Sequence, residues 1–118
     1  MNKLLVGLLL SVGCISANAA NWQKFFVGND GFITYLDKES VVHYNNGAHS
    51  GWVKTIQTNG STLNHVTVHC PTKMVRLNET YVYDTNGNKT FDWRGLNMWE
   101  NAMPDTAGMS WVNVFCNR

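Results

Sequence analysis

The amino-acid sequence predicts an α+β domain. Its expected core is an antiparallel meander β-sheet of six or seven strands, with a C-terminal helix packed on one face and tethered by a disulfide. Three observations carry this. Four turn dipeptides, Asp30-Gly31, Asn46-Gly47, Asn59-Gly60 and Asn86-Gly87, separate runs rich in β-branched and aromatic residues, the pattern of successive hairpins. Beyond Pro104, the residues Met109, Val112, Phe115 and Cys116 recur at helical spacing. Once an export leader is removed, Cys70 and Cys116 are left as an even pair, and such a pair in an exported protein is usually oxidised.

The leader is read from the first residues. Lys3 gives a positive start, Leu4 to Val12 is a short apolar run, and Ala17-Asn18-Ala19 has the small-x-small form of a cleavage site. A membrane span would need about 20 apolar residues. The expected organisation is therefore a signal peptide over 1–19 and a single domain over 20–118. Removing 19 of 118 residues leaves 99, enough for one hydrophobic core and too few for two. The product is exported, to the periplasm or the extracellular space. The alternative is an outer-membrane lipoprotein anchored through Cys14. Gly13 fits the residue before an acylated cysteine and Ser11 does not.

The strands are expected at Trp22–Gly28, Phe32–Asp37, Val41–Asn45, His49–Thr58, Ser61–Cys70, Met74–Asp84 and Lys89–Arg94. The third is the weakest, and Asp37 to Ser40 is a connecting turn or a single helical turn. Two-residue type I′ turns at the four dipeptides would set Ile56 against Leu63, Lys54 against His65 and Val53 against Val66. They would also set Asp84 against Lys89, Val82 against Phe91, Phe26 against Tyr35 and Lys24 against Asp37. Alternation puts Val66, Val68 and Cys70 on one face, with His65, Thr67 and His69 on the other. In the tail, Pro104 suits a first helical position and Asp105 a first turn. A strand over Ser110–Cys116 is the rival reading, since Trp, Val and Phe also favour strands.

Composition excludes several functions. Of 9 basic and 8 acidic residues only Lys3 leaves with the leader, so the mature chain is neutral and has no electrostatic hold on nucleic acid or anionic lipid. Charged residues make up 14%, against about 25% in an average domain. His65 and His69 have the spacing of a helical metal pair, but on a strand they stand about 13 Å apart, too far for one ion bound at about 2 Å. Asp84 and Asp92 flank the last hairpin without an acid–base partner. The serines lack a nucleophile-elbow setting, and both mature cysteines are assigned to structure. No catalytic, metal or cofactor residue is expected, and the chain is read as a non-enzyme. The excess lies in five tryptophans. Trp22, Trp52, Trp93 and Trp99 are the candidate binding anchors, because exposed Trp is enriched at interface hot spots.

An ordered set of residues carries a likeness to a known family. Trp22 opens the mature chain; Gly31-Phe32-Ile33-Thr34-Tyr35-Leu36-Asp37 is followed by Ser40-Val41; Trp52-Val53 lies in a middle strand. Cys70 ends another strand and is followed by Arg76, Tyr81 and Gly87, with Pro104-Asp105-Thr106 before the final Cys116. This order resembles the surface-adhesin protein E family of Gram-negative bacteria over nearly the whole mature chain. The resemblance implies an antiparallel sheet with a disulfide-tethered C-terminal helix. It also implies a role at the cell surface, the namesake being a lipoprotein that binds host extracellular proteins. The sequence departs from it in its poor lipobox and in Thr106, where the family has Ser. The expected function is a non-catalytic exported binding module of the bacterial envelope with a protein ligand. The alternative is a periplasmic protein that captures a small ligand or haem. An exposed aromatic patch without a pocket points to the first, and a deep pocket lined by Trp or Tyr and one His to the second.

Overall fold

The structure, a computed structural model, describes residues 20–95 and 98–117. The leader and Cys14 lie outside the described residues. Eight strands form one antiparallel sheet: β1 (Trp22–Val27), β2 (Ile33–Asp37), β3 (Val42–His43), β4 (Ala48–Gln57), β5 (Gly60–His69), β6 (Met74–Tyr83), β7 (Lys89–Arg94) and β8 (Glu100–Asn101). The main path runs β1-β2-β4-β5-β6-β7, with β3 on β4 and β8 on β6. Helix α1 (Ala107–Cys116) closes the chain. The meander and the C-terminal helix are thus as expected. The eighth strand was not foreseen, because its two residues, Glu100 and Asn101, carry no strand signature. The expected third strand shrinks to Val42–His43, and Lys38–Ser40 forms a single 3-10 turn.

The turns depart from the type I′ expectation. Among the described residues only Lys73 and Asp105 combine a side chain with positive φ, so none of the four hairpin Asn or Asp residues is left-handed. Three loops share one design. Gly28, Tyr44 and Asp84 each donate their backbone N–H to the carbonyl four residues on, at 2.8–2.9 Å, and accept one from Gly31, Gly47 and Gly87 three residues on, at 3.0–3.3 Å. This is the three-residue hairpin loop with glycine at its one left-handed position, at φ 85–88°. It leaves Asn and Asp in ordinary conformations, where a left-handed residue would cost about 1–2 kcal/mol. At the fourth turn Gln57 pairs with Gly60, so the loop is Thr58-Asn59.

Register follows from the loops. Val82 faces Phe91 as expected, because a bulge at the β6–β7 hairpin offsets the longer loop. The others shift. Ile56 faces Ser61, Lys54 faces Leu63, Val53 faces Asn64, and Val66 faces Gly51. Lys24 faces Tyr35, Trp22 faces Asp37 and Phe26 faces Thr34, with a bulge between Lys24 and Phe26. Lys89 lies opposite Tyr83 and forms its salt bridge with Asp92 at 2.8 Å, not with Asp84. The Asp84 carboxylate instead accepts the N–H groups of Asn86 and Asn88 at 2.9 Å.

The core lies between the helix and one face of the sheet. Leu36, Val53, Val66, Val68 and Val75 meet Val112 and Phe115, and Val53, Val66 and Val68 are fully buried. Gly51 makes room for Phe115, since a Cβ there would stand 3.2 Å from its ring. Cys70 is bonded to Cys116 across 46 positions, with Cα atoms 5.7 Å apart. Closing a loop of that length contributes about 4 kcal/mol in the chain-entropy account. The helix begins later than expected. Thr106 is its N-cap without a side-chain cap bond, and the Thr106 hydroxyl instead donates to the Met103 carbonyl at 2.6 Å. Asp105 sits just outside, at φ 60°, so Pro104 and Asp105 form the entry turn.

The two Asn-Gly turns that flank the β5–β6 pair differ in a testable way. Gly87 has φ 85° with open space around it, whereas at Gly60 the φ is 140° and an added Cβ would collide with the Tyr83 carbonyl oxygen. Gly87→Ala should cost about 1–2 kcal/mol from the left-handed conformation alone. Gly60→Ala should cost clearly more, because backbone must move. Urea denaturation of both variants checks this, and equal losses would contradict the turn geometries.

Candidate binding groove

The ten-residue strands β4, β5 and β6 run about 33 Å, and the helix lies across them at one end: its start, Gly108, stands beside Val75 of β6, its Phe115 packs on Gly51 of β4, and Cys116 is bonded to Cys70. A helix about 10–12 Å in diameter, laid crosswise there, leaves the far half of its face of the sheet uncovered. There a half-open groove of about 830 Å³ lies between the helix and the β1–β2 hairpin. Its walls are Phe25, Phe26 and Phe32 on one side and Met109, Trp111 and Val114 on the other. The bulge between Lys24 and Phe26 explains why two successive phenylalanines reach one site, since a bulge breaks strict alternation. The floor is Thr34, Thr55, Thr62 and Asn64. Thr34 and Thr55 are hydrogen-bonded at 3.4 Å, and the Thr80 hydroxyl donates to the Asn64 amide oxygen at 2.8 Å. Among the described residues Asp105 is the one carboxylate in the lining, and no His, Lys or Arg belongs to it. The site offers apolar contact and neutral hydrogen bonds, with no general base on its floor.

The opposite face carries aromatic and charged rows. Trp52, His65, Glu79 and Arg94 stand abreast across β4–β7, as do Lys54, Leu63, Tyr81 and Asp92. Trp52 packs on His65 and Tyr81, with ring centroids 4.9 and 6.2 Å apart. Lys54 lies over Trp22 at 4.4 Å and Arg76 over Trp99 at 4.8 Å. Asn78 donates to Thr67 at 2.9 Å, accepts from Arg76 at 3.0 Å and contacts His65 Nδ1 at 3.1 Å. Burial lowers the His65 pKa, Glu79 opposes that shift and Arg76 adds to it. The Tyr81 phenol is raised, first by its hydrogen bond to Glu79. Lys89 is raised and Asp92 lowered, each first by their mutual hydrogen bond. These side chains cover one another, so the face is half-buried without a second layer.

The residues singled out in the sequence are thus distributed. Trp22, Trp52 and Trp99 lie on the open face. Trp93 faces Thr80 on the helix side of the sheet, beyond the helix. Trp93 and Trp99 are 39% and 37% exposed, while Trp22 and Trp52 are half-buried under Lys54 and His65. His65 and His69 do not share a site: His69 contacts Thr72 and the Asn46 carbonyl at 2.7 and 3.1 Å. His43 and His49 do meet, with Nδ1 atoms 2.7 Å apart in an exposed position. Among the described residues no three His, Cys, Asp or Glu side chains gather as a metal-binding group.

The groove was missed in the sequence, although part of its signal was present. The alternation that puts Val53, Val66 and Val68 toward the core continues to Thr55 and to Asn64 and Thr62. The inward stripe turns polar halfway along the strands, which marks where cover by the helix ends. The Phe25–Phe26 bulge has no such signal. Comparisons with protein-family models, with curated proteins and with solved structures gave no match.

His65 supplies a pH signature. Its folded-state pKa lies below the ordinary value of 6.5, so near and below that value the unfolded chain binds the proton more readily. Stability is fully present above about pH 6.5 and declines as pH falls toward the folded-state pKa. NMR titration should place His65 below 6.5, and His65→Gln should remove part of the loss of stability seen on acidification. An ordinary titration at His65 would contradict its packing against Trp52.

Proposed function

We propose that this chain is an exported, non-catalytic binding module of the bacterial envelope, acting on a protein ligand that seats an apolar segment in the groove. The observation that carries the reading is the groove's lining: aromatic walls, a threonine and asparagine floor, and Asp105 as the one ionisable group among the described residues. The lining suits neutral apolar contact and offers no acid–base pair. Exposed aromatics flank it on the same side of the sheet, with Phe26 at 43%, Phe91 at 53% and Trp93 at 39%. A protein surface would meet groove and flanks together. The likeness to the surface-adhesin protein E family supports the same reading, and so does the disulfide, which is consistent with an oxidising, exported environment. Trp93 is the favoured anchor among the tryptophans, since it combines exposure with a place on the groove side.

The test is binding of the purified mature protein to a panel of immobilised extracellular-matrix proteins. Phe26→Ala and Trp93→Ala should each weaken capture roughly 30-fold, the effect of losing a hot spot of about 2 kcal/mol. Lys24→Ala, on the other face, should leave it unchanged. Loss confined to Lys24→Ala would move the site to the open face. Absence of protein capture, with a small molecule retained in native mass spectra, would favour the small-ligand alternative.

A further inference from the structure

Val42 and His43 form a two-residue strand held at the margin of the sheet by β4 alone. His43 stands directly opposite His49. Their rings meet edge to face with centroids 4.8 Å apart, and their Nδ1 atoms approach to 2.7 Å. Such a contact requires one nitrogen to carry a hydrogen and the other to direct a lone pair at it. The two nitrogens therefore point at each other across the strand pair.

We propose that His43 and His49 form a two-nitrogen site for a borderline divalent transition-metal ion, of the Zn(II) or Cu(II) class that imidazole suits. Two nitrogens bound at about 2.1 Å to one ion, at tetrahedral or square angles, are separated by roughly 3.0–3.4 Å. The nitrogens need to part by only a few tenths of an ångström, and each ring must tilt by about 35–45° so that its lone pair leaves the N···N line and points at the ion, a change that side-chain torsions at an exposed contact can supply. The chemistry balances without an added reactant. The donor imidazole moves its hydrogen from Nδ1 to Nε2, the N–H···N bond is exchanged for two metal–nitrogen bonds, and two waters leave the hydrated ion. Two protein ligands fall short of the three or four that resident zinc takes. The site is therefore exchangeable, with water in its other positions. Its effect on the fold is to clamp β3, whose neighbour Val41 packs on the core, against β4.

Calorimetric titration of the mature, disulfide-bonded protein with Zn(II) or Cu(II), in a non-coordinating buffer, tests this. One equivalent should bind saturably, Cu(II) more tightly than Zn(II), and thermal unfolding should move upward. His43→Ala should weaken binding at least tenfold and abolish the shift in unfolding, and His69→Ala should change neither. His43 is exposed, so its replacement should leave the circular dichroism spectrum intact. No saturable binding at millimolar metal, or binding that survives His43→Ala, would overturn the assignment.

Discussion

The arrangement depends on where one short helix is held. Phe115 fills the space above Gly51, and the Cys70–Cys116 bond fixes the same end of the helix to the end of β5. Both constraints act at the helix C-terminus, so the helix cannot slide along the sheet without losing a fully buried aromatic and straining a covalent link. A buried Phe contributes about 3–5 kcal/mol by its truncation cost. Together with the closed loop, that is a large share of the stability of a domain this small. The groove is the consequence: a helix laid across one end of the sheet leaves the other end of that face bare.

The two uncovered surfaces are managed by different chemistry. The open face has long amphipathic side chains whose stems shield one another, with Lys54 over Trp22 and Arg76 over Trp99. Charged heads remain in water while apolar stems cover the rings. The groove side has no such cover. Its floor is kept tolerant of water by threonines and Asn64, while Phe25, Phe26, Phe32 and Trp111 rise around it. A surface meant only for solvent has no need of four aromatic walls, and their presence is what separates this region from the self-covered face.

Much of the fold was legible in the sequence because it rests on local rules. The glycine dipeptides placed the hairpins, the helical stripe placed α1, and the expectation of an export leader, with the cysteine count, pointed to the disulfide. Register was less legible. A two-residue and a three-residue loop can use the same Asn-Gly pair, and the choice depends on whether Asn takes the left-handed conformation. That choice also set His43 opposite His49, around the Asn45-Asn46-Gly47 loop. The groove was readable only in its floor. Its walls come from a bulge and from a helix whose direction across the strands, not its amphipathicity, decides what it covers.

The half-covered face is proposed to be a formed binding groove rather than surface left bare. Titrating 15N-labelled protein spanning residues 20–118 with a neutral apolar probe, N-phenyl-1-naphthylamine, distinguishes the two. Saturable shifts are expected at the Trp111 indole and at the amides of Thr34, Thr55 and Asn64, with Trp52 and Tyr81 unmoved. Shifts centred on Trp52 and Tyr81, or no saturable shifts at all, would contradict the proposal.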